Sequence, residues 1–410
     1  MAGALAFAAS GGWGFDTRPS ASLTIALDLP ERRSDAPEAS DLFVVQGVDP
    51  ATCGVPDLVS MMAATGVGFY RSDALDVGCD PGGIIGSDDM VLLKINCQWD
   101  QRGGTNTDLL SAVIDAIVDH PDGFTGEIVV ADNGQRQYGS SGRGGSMDWV
   151  RSNAEDRGQS VQDVVDSYVP RYAVSTFLWD DITTIEVSEY DAGDDRDGYV
   201  IETAIDPRSD AYVCYPKFRS VHGTYVSFKN GVWDPSSGSY DERRLRVINL
   251  PVLKPHSIYG VTGCVKHYMG VTSDAITRRH GARAHDTILA GGMGTVMGGT
   301  RVPDLNILDA IWVSLEPRKG PWVDCDQATR LDIVAASTDP VALDAWASKY
   351  VLMAGTEAAG FSAGTMNPDA SRPSAGSFAR YLAASADILR EDGVRVTADE
   401  TLMNVFVRAL

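Results

Sequence analysis

Residues 90–95 read MVLLKI and residues 127–131 read EIVVA. Each is a short, continuous apolar run of the kind expected for a strand buried on both faces of a parallel sheet. Between them, Leu109, Leu110, Val113, Ile114, Ile117 and Val118 recur at i, i+3, i+4 and i+7, the stripe of an amphipathic helix. Its start is marked by TNTD at 105–108 and its end by PDG at 121–123. Strand, helix and strand in this order make a βαβ unit, so the two strands are expected to be parallel with a right-handed crossover. That geometry places Lys94, Asn96 and Asp132 at the carboxyl ends of the strands, the edge where open α/β sheets bind ligands. Thr105, in the loop returning to the helix, is grouped with them as a ligand contact.

The remaining chain extends this unit. Strands are expected at 41–48, within 173–187 and at 331–335, helices at 56–65, 159–168 and 377–389, and a further element of the α/β scaffold at 306–313. At 337–340, STDP opens a further helix with a cap residue and a first-turn proline. Residues 199–245 read as strand-rich with Ser/Gly turns. The glycine-dense run AGGMGTVMGGT at 290–300 misses the dinucleotide fingerprint and reads as a loop. The expected architecture is α/β: mainly parallel sheet with helices on both faces, two lobes around a cleft, and an inserted β-rich segment at about 134–245 within a domain spanning 41–350. Residues 1–40 read as an apolar terminus and extended arm, and 351–410 as a C-terminal helical extension.

The 410 residues carry 56 Asp and Glu against 34 Lys and Arg, a formal charge of −22. So acidic a chain lacks the basic footprint that nonspecific nucleic-acid binding requires, and it is not expected to adhere to anionic membranes. No run approaches the roughly 18 apolar residues of a membrane-spanning helix. Residues 1–10, MAGALAFAAS, resemble the end of a secretory signal with a small-residue exit at Ala6-Phe7-Ala8, although no charged segment precedes them. On that reading the protein is exported, periplasmic or extracellular; without it the chain is cytoplasmic. None of the six cysteines forms C-x-x-C, so no zinc ribbon, thioredoxin-type site or iron–sulfur motif is expected. Cys53 and Cys79 are the first pair to consider for a disulfide, with six free thiols as the alternative.

The chemistry is concentrated at 247–270, VINLPVLKPHSIYGVTGCVKHYMG. Two of the chain's seven lysines and two of its six histidines lie within fourteen of these residues. Lys254 and Lys266 could fix a carboxylate or phosphate, or a buried lysine could lose its proton and become nucleophilic. His256 is a candidate acid/base group or metal ligand, and His267 a ligand contact. Asp132 and Asp339 could orient a base or bind a metal, although strand-end and helix-cap residues also have ordinary structural roles. Cys97 and Cys264 could be soft metal ligands beside His256, although a small buried hydrophobe is the commoner role for such residues.

Four blocks carry a family resemblance: LLKINCQW with GGTNTDLL at 92–110, IVVADNG at 128–134, INLPVLKPHSIYGVTGCVKHYMGV at 248–271, and NILDAIW with IVAASTDPVALDAWA at 306–347. In this order they resemble the family known as domain of unknown function 362. Many relatives carry twin-arginine leaders, which implies export; the cysteine-rich cluster-binding segment of others is missing here. The segment from Pro255 to Lys266 is also similar to part of the nickel-pincer lactate racemase family. There a histidine matching His256 is an acid/base group, and a lysine matching Lys266 tethers the cofactor. This chain departs from that pattern in having Cys264-Val265 before the lysine, in the spacing of His280 and His285, and in carrying only His120 in its N-terminal half. The expected function is an enzyme acting on a small anionic substrate in a Lys/His cleft, with or without a metal ion. The alternatives are a non-catalytic envelope protein that binds a metal or anion, and a redox-associated protein.

Overall fold

The computed structural model describes residues 25–136, 144–152, 155, 158–371 and 376–410, so the segment read as a signal lies outside the described residues. Strand β1 (Ser40–Gln46) is followed by helix α1 (Val55–Ala64), the two-residue strands β2 (Tyr70–Arg71) and β3 (Cys79–Asp80), and then β4 (Met90–Lys94), α2 (Thr107–Val118) and β5 (Glu127–Asp132). Helix α3 (Val161–Tyr168) leads to β6 (Ala173–Leu178). Five strands then form a sheet of their own: β7 (Gly198–Asp206), β8 (Ala211–Arg219), β9 (Tyr225–Ser227), β10 (Gly231–Asp234) and β11 (Ser239–Asp241). The chain returns through β12 (Leu245–Asn249), the hairpin β13 (Lys254–His256) and β14 (Gly260–Thr262), and helices α4 (Cys264–His267), α5 (Asp274–Arg279) and α6 (Gly292–Gly299). It ends with β15 (Leu305–Ser314), β16 (Ala328–Ser337), α7 (Pro340–Ala347), α8 (Ala354–Ala358), α9 (Ser377–Glu391) and β17 (Met403–Ala409).

The main sheet has eight strands in the order β17-β1-β16-β15-β12-β4-β5-β6. Its strands run in one direction except β16, which is antiparallel to both β15 and β1. The β4–α2–β5 unit is parallel, as the apolar runs and helical stripe require. Every residue of β4, β5 and β15 is buried, which explains why these strands read as continuous rather than alternating apolar runs. Alternate side chains still divide between two cores. Val91, Leu93, Val130 and Ile248 pack under α1, α2 and α3. Leu92, Val129, Ala131 and Val247 pack on the other face against α4, α6, α7 and α9 and against Phe218 and Phe228 of the five-stranded sheet. Burying each such phenylalanine stabilises the fold by about 1.5–3 kcal/mol. This is an α/β fold with helices on both faces and a separate antiparallel sheet.

Several local readings change. The glycine run expected as a loop is helix α6, because a Cβ on Gly294 would overlap the backbone of Ser385 in α9. Glycine lets the two helices approach closely, an advantage that outweighs its low helix propensity. The segment 134–245 contributes β6 to the main sheet, and its own five-stranded sheet begins only at Gly198. The C-terminal stretch adds α9 and also the edge strand β17, parallel to β1. Cys53 and Cys79 are free thiols, as are the other four cysteines; the Cys53 sulfur turns back toward the Pro50 carbonyl. Among the described residues no helix is long and apolar enough to cross a membrane.

From β4 the chain moves to β5 and β6 on one side; from β12 it moves to β15 and β16 on the other. The carboxyl ends of β4 and β12 therefore flank a topological switch point, the place where a crevice opens in sheets of this kind.

Candidate functional site

A cavity of about 180 Å³ lies at this edge. Lys94 and Asn96 reach it from the end of β4 and Asp132 from the end of β5. Lys254, His256 and Thr262 come from the β13–β14 hairpin, and Lys266 and His267 from α4. Trp99 and the half-exposed Trp322, with ring centroids 6.1 Å apart, stand beside it. His256 and Lys266, the pair singled out by spacing, thus face one cavity.

Helix α4 is one turn long and delivers two of these side chains, so its anchoring matters. The buried Asp344 carboxylate of α7 accepts hydrogen bonds from Cys264 N (2.6 Å) and Val265 N (3.0 Å), satisfying donors that a helix start leaves unpaired. Burial raises the Asp344 pKa to about 6, with those two N–H groups opposing the shift.

The floor of the cavity is an ion pair. Lys94 Nζ lies 2.7 Å from Asp132 Oδ1, both side chains being almost fully buried, and it also donates to the Ile95 carbonyl. Asp132 Oδ2 accepts from Cys97 N at 2.8 Å. Gly270 covers the pair so closely that a Cβ there would overlap Asp132 Oδ1 and Lys94 Nζ. Lys254 donates to the Gly103 carbonyl. Lys266 Nζ sits 5.2 Å from the centroid of the Tyr259 ring and, among the described residues, makes no hydrogen bond or ion pair. Burial lowers the pKa of all three lysines. Asp132 opposes the shift at Lys94, the charge of Lys266 adds to it at Lys254, and Lys266 comes down to about 8.

The histidines take opposite tautomers. His256 Nδ1 faces the backbone N–H groups of Ile258 (3.1 Å) and Tyr259 (3.2 Å), so Nδ1 is the acceptor and the ring proton resides on Nε2. Burial and the nearby Lys266 hold this ring neutral. His256 is therefore a hydrogen-bond donor to the cavity, with no free lone pair for a metal or a proton. His267 is oriented by a chain of amides: Asn306 Nδ2 donates to the Ser337 carbonyl, Asn249 Nδ2 to Asn306 Oδ1, and His267 Nδ1–H to Asn249 Oδ1 at 2.7 Å. His267 Nε2 is buried and, among the described residues, has no hydrogen-bond partner within normal geometry. Burial, then the charges of Lys94 and Lys254, keep the ring neutral, against the Ile95 carbonyl. The two rings thus differ in what their Nδ1 meets, backbone N–H groups in His256 and the Asn249 amide oxygen in His267.

Two further buried atoms in the lining, Asn96 Oδ1 and Thr262 Oγ1, also lack partners. Buried polar groups are nearly always paired, so three orphans in one cavity mark a place prepared for a polar guest.

Other sequence candidates lie elsewhere. Asp339 caps α7, accepting from Val341 N, Ala342 N, Thr397 N and Ser40 Oγ at 2.6–2.9 Å. Thr105 ties the loop after β4 to β12, accepting from Asn96 N and donating to the Leu250 carbonyl. Cys97 and Cys264 are buried thiols outside the cavity lining, their pKa values pushed well up by burial. Among the described residues no three His, Cys, Asp or Glu side chains are grouped to hold a metal ion, so the His256, Cys97 and Cys264 set does not assemble. Sequence reasoning missed Thr262, Asn249 and Asp274, and weighed His285 only for its spacing. Asn249 was findable as the strand-end residue before Pro251, whereas Asp274 and His285 reach the cavity through folding of α5 and the turn after it.

No curated protein and no solved structure was found to match the chain. Residues 245–349, which supply Asn249, the β13–β14 hairpin, α4 and the Asp344 anchor, match the family described as domain of unknown function (DUF362).

Proposed function

We propose that the protein is an enzyme that binds a small anionic substrate in this cavity and moves a proton to or from it. The observation that carries the reading is the convergence of three buried lysines, one neutral histidine donor and one neutral histidine acceptor on a single enclosed space. Buried ammonium groups without a full set of counter-charges are costly, and an anion offsets that cost. Lys254 and Lys266 supply the charge, and the His256 Nε2–H gives direction. As the anion neutralises the lysines, the field that depresses His267 weakens, and its Nε2 becomes a stronger base toward the bound substrate.

The test is calorimetric titration with a panel of small carboxylates and inorganic phosphate, followed by proton exchange of bound carboxylates in deuterium oxide. Lys254→Met is expected to weaken binding about tenfold or more, since hydrogen bonds to charged groups contribute about 1.5–3 kcal/mol. His267→Gln is expected to retain binding and to stop deuterium incorporation. Absence of binding by every member of the panel refutes the anion site, and binding without exchange leaves a carrier instead of an enzyme.

A further inference from the structure

Among the described residues, the cations lining the cavity are all lysine. Arginine outnumbers lysine in the chain by 27 to 7, yet three of the seven lysines line this space and no described arginine does. Arginine is the better anion clamp, with a rigid fork of donors, but it cannot give up its proton. A site built only to hold an anion has no reason to avoid it. The three lysines also differ from one another. Lys94 is engaged by Asp132, and Lys254 is tied to the Gly103 carbonyl. Lys266 Nζ lies beside the face of Tyr259, feels the Asp274 carboxylate through space, and sits on a helix held in place by Asp344. Among the described residues it is a positioned amine without a hydrogen-bond or ion-pair partner.

Resting on the anion-binding reading above, we propose that Lys266 acts covalently: its amine adds to the ketone of a small 2-oxo acid whose carboxylate is held by Lys254 and by His256 Nε2–H. The nitrogen lone pair forms a C–N bond as the carbonyl π pair moves to oxygen. Proton transfer from nitrogen to oxygen gives the neutral carbinolamine. Protonation of its hydroxyl releases one water and leaves the iminium. No oxidant or reductant is consumed. His267 Nε2 is available to take and return the protons. The cavity volume, about six waters' worth of liquid, suits an acid of a few carbons. The depressed basicity of Lys266, from burial, supplies a neutral amine fraction near physiological pH.

The experiment incubates the full chain with pyruvate and cyanoborohydride, which reduces an iminium to a stable secondary amine. Intact mass and peptide mapping then locate the product. One adduct per chain is expected, at Lys266, with the mass of the acid less one oxygen atom. It disappears in Lys266→Arg and is suppressed in the wild-type protein by excess propionate, which has the carboxylate without the ketone. The competition arm needs no variant, so a folding defect in Lys266→Arg cannot mask the answer. If propionate binds and Lys266 stays unlabelled, or label spreads over the half-buried Lys319 and the exposed Lys349, the covalent role is overturned while the anion site stands. If neither acid binds, both readings fall together.

Discussion

Replacing Lys266 with methionine is expected to stabilise the folded protein. The residue is 7% exposed, and burial lowers its pKa from 10.5 to about 8. Each pKa unit corresponds to about 1.4 kcal/mol of differential stability, so below pH 8 the folded state bears a cost of about 3 kcal/mol for holding the charged amine. The sign follows from proton counting. Between pH 8 and 10.5 the unfolded chain binds the proton and the folded chain does not, so wild-type stability rises with pH across that window. Methionine keeps a long apolar side chain and never carries the charge; it forfeits a cation–π contact with Tyr259 of about 1 kcal/mol. The net gain at pH 7 is about 2–3 kcal/mol, or about 3 °C in melting temperature for a chain of this length. Urea unfolding of both proteins at pH 7 and pH 10 measures it, and the gap is expected to shrink to about 1 kcal/mol at pH 10. A variant no more stable than wild type at pH 7, or a difference independent of pH, refutes the claim that Lys266 is held at an energetic cost.

Asp339→Ala removes the acceptor of four hydrogen bonds and is expected to cost about 2–4 kcal/mol of stability while leaving anion affinity unchanged in the folded fraction; denaturant midpoints and calorimetry on one preparation separate the two effects. Gly270→Ala places a Cβ against Lys94 Nζ and Asp132 Oδ1. It should weaken anion binding about tenfold or more in protein whose far-UV spectrum is unchanged, and unchanged affinity would show that the ion pair is not part of the site. Nitrogen-15 NMR should find His267 neutral and protonated at Nδ1, with that signature lost in Asn249→Ala; a ring protonated at Nε2 in the wild type removes it as the base.

The fold was legible where one physical rule dominates. Residues 90–131 read correctly because a buried parallel sheet demands continuous apolar strands and an amphipathic crossover helix. Strand-end logic then located Lys94, Asn96 and Asp132 at the cavity before any tertiary contact was known. Asp339 also lies at a strand end, and there it fills the capping role that its place before Pro340 allows. Gly292–Gly299 was misread because glycine density signals a turn locally, whereas close approach to α9 is a tertiary demand. The ring nitrogens that His256 and His267 present were not legible for a similar reason. A histidine's function depends on which nitrogen its neighbours occupy, and those neighbours are backbone N–H groups in one case and Asn249 in the other.

The unpaired atoms bear on why a lysine, and not only a base, belongs at this edge. An oxo acid presents acceptors alone: its carboxylate and ketone suit the lysines, the His256 N–H and the Thr262 hydroxyl. Asn96 Oδ1 and His267 Nε2 are acceptors, and such a guest leaves both unpaired. Once an amine has added to the ketone, the guest carries a hydroxyl, and after water leaves it carries an iminium N–H. The hydroxyl is a donor where the ketone offered only an acceptor, whereas the iminium N–H is carried over from the amine. Acceptors that find partners only along the reaction path lower its barrier without tightening the initial complex, which is the requirement for catalysis as distinct from binding. Pairing Asn96 Oδ1 in this way relieves a buried polar group whose isolation costs about 1–3 kcal/mol. Asn96→Leu should therefore slow trapping of the adduct by roughly ten- to hundredfold while leaving propionate affinity nearly unchanged; equal losses in both would place Asn96 in substrate binding alone.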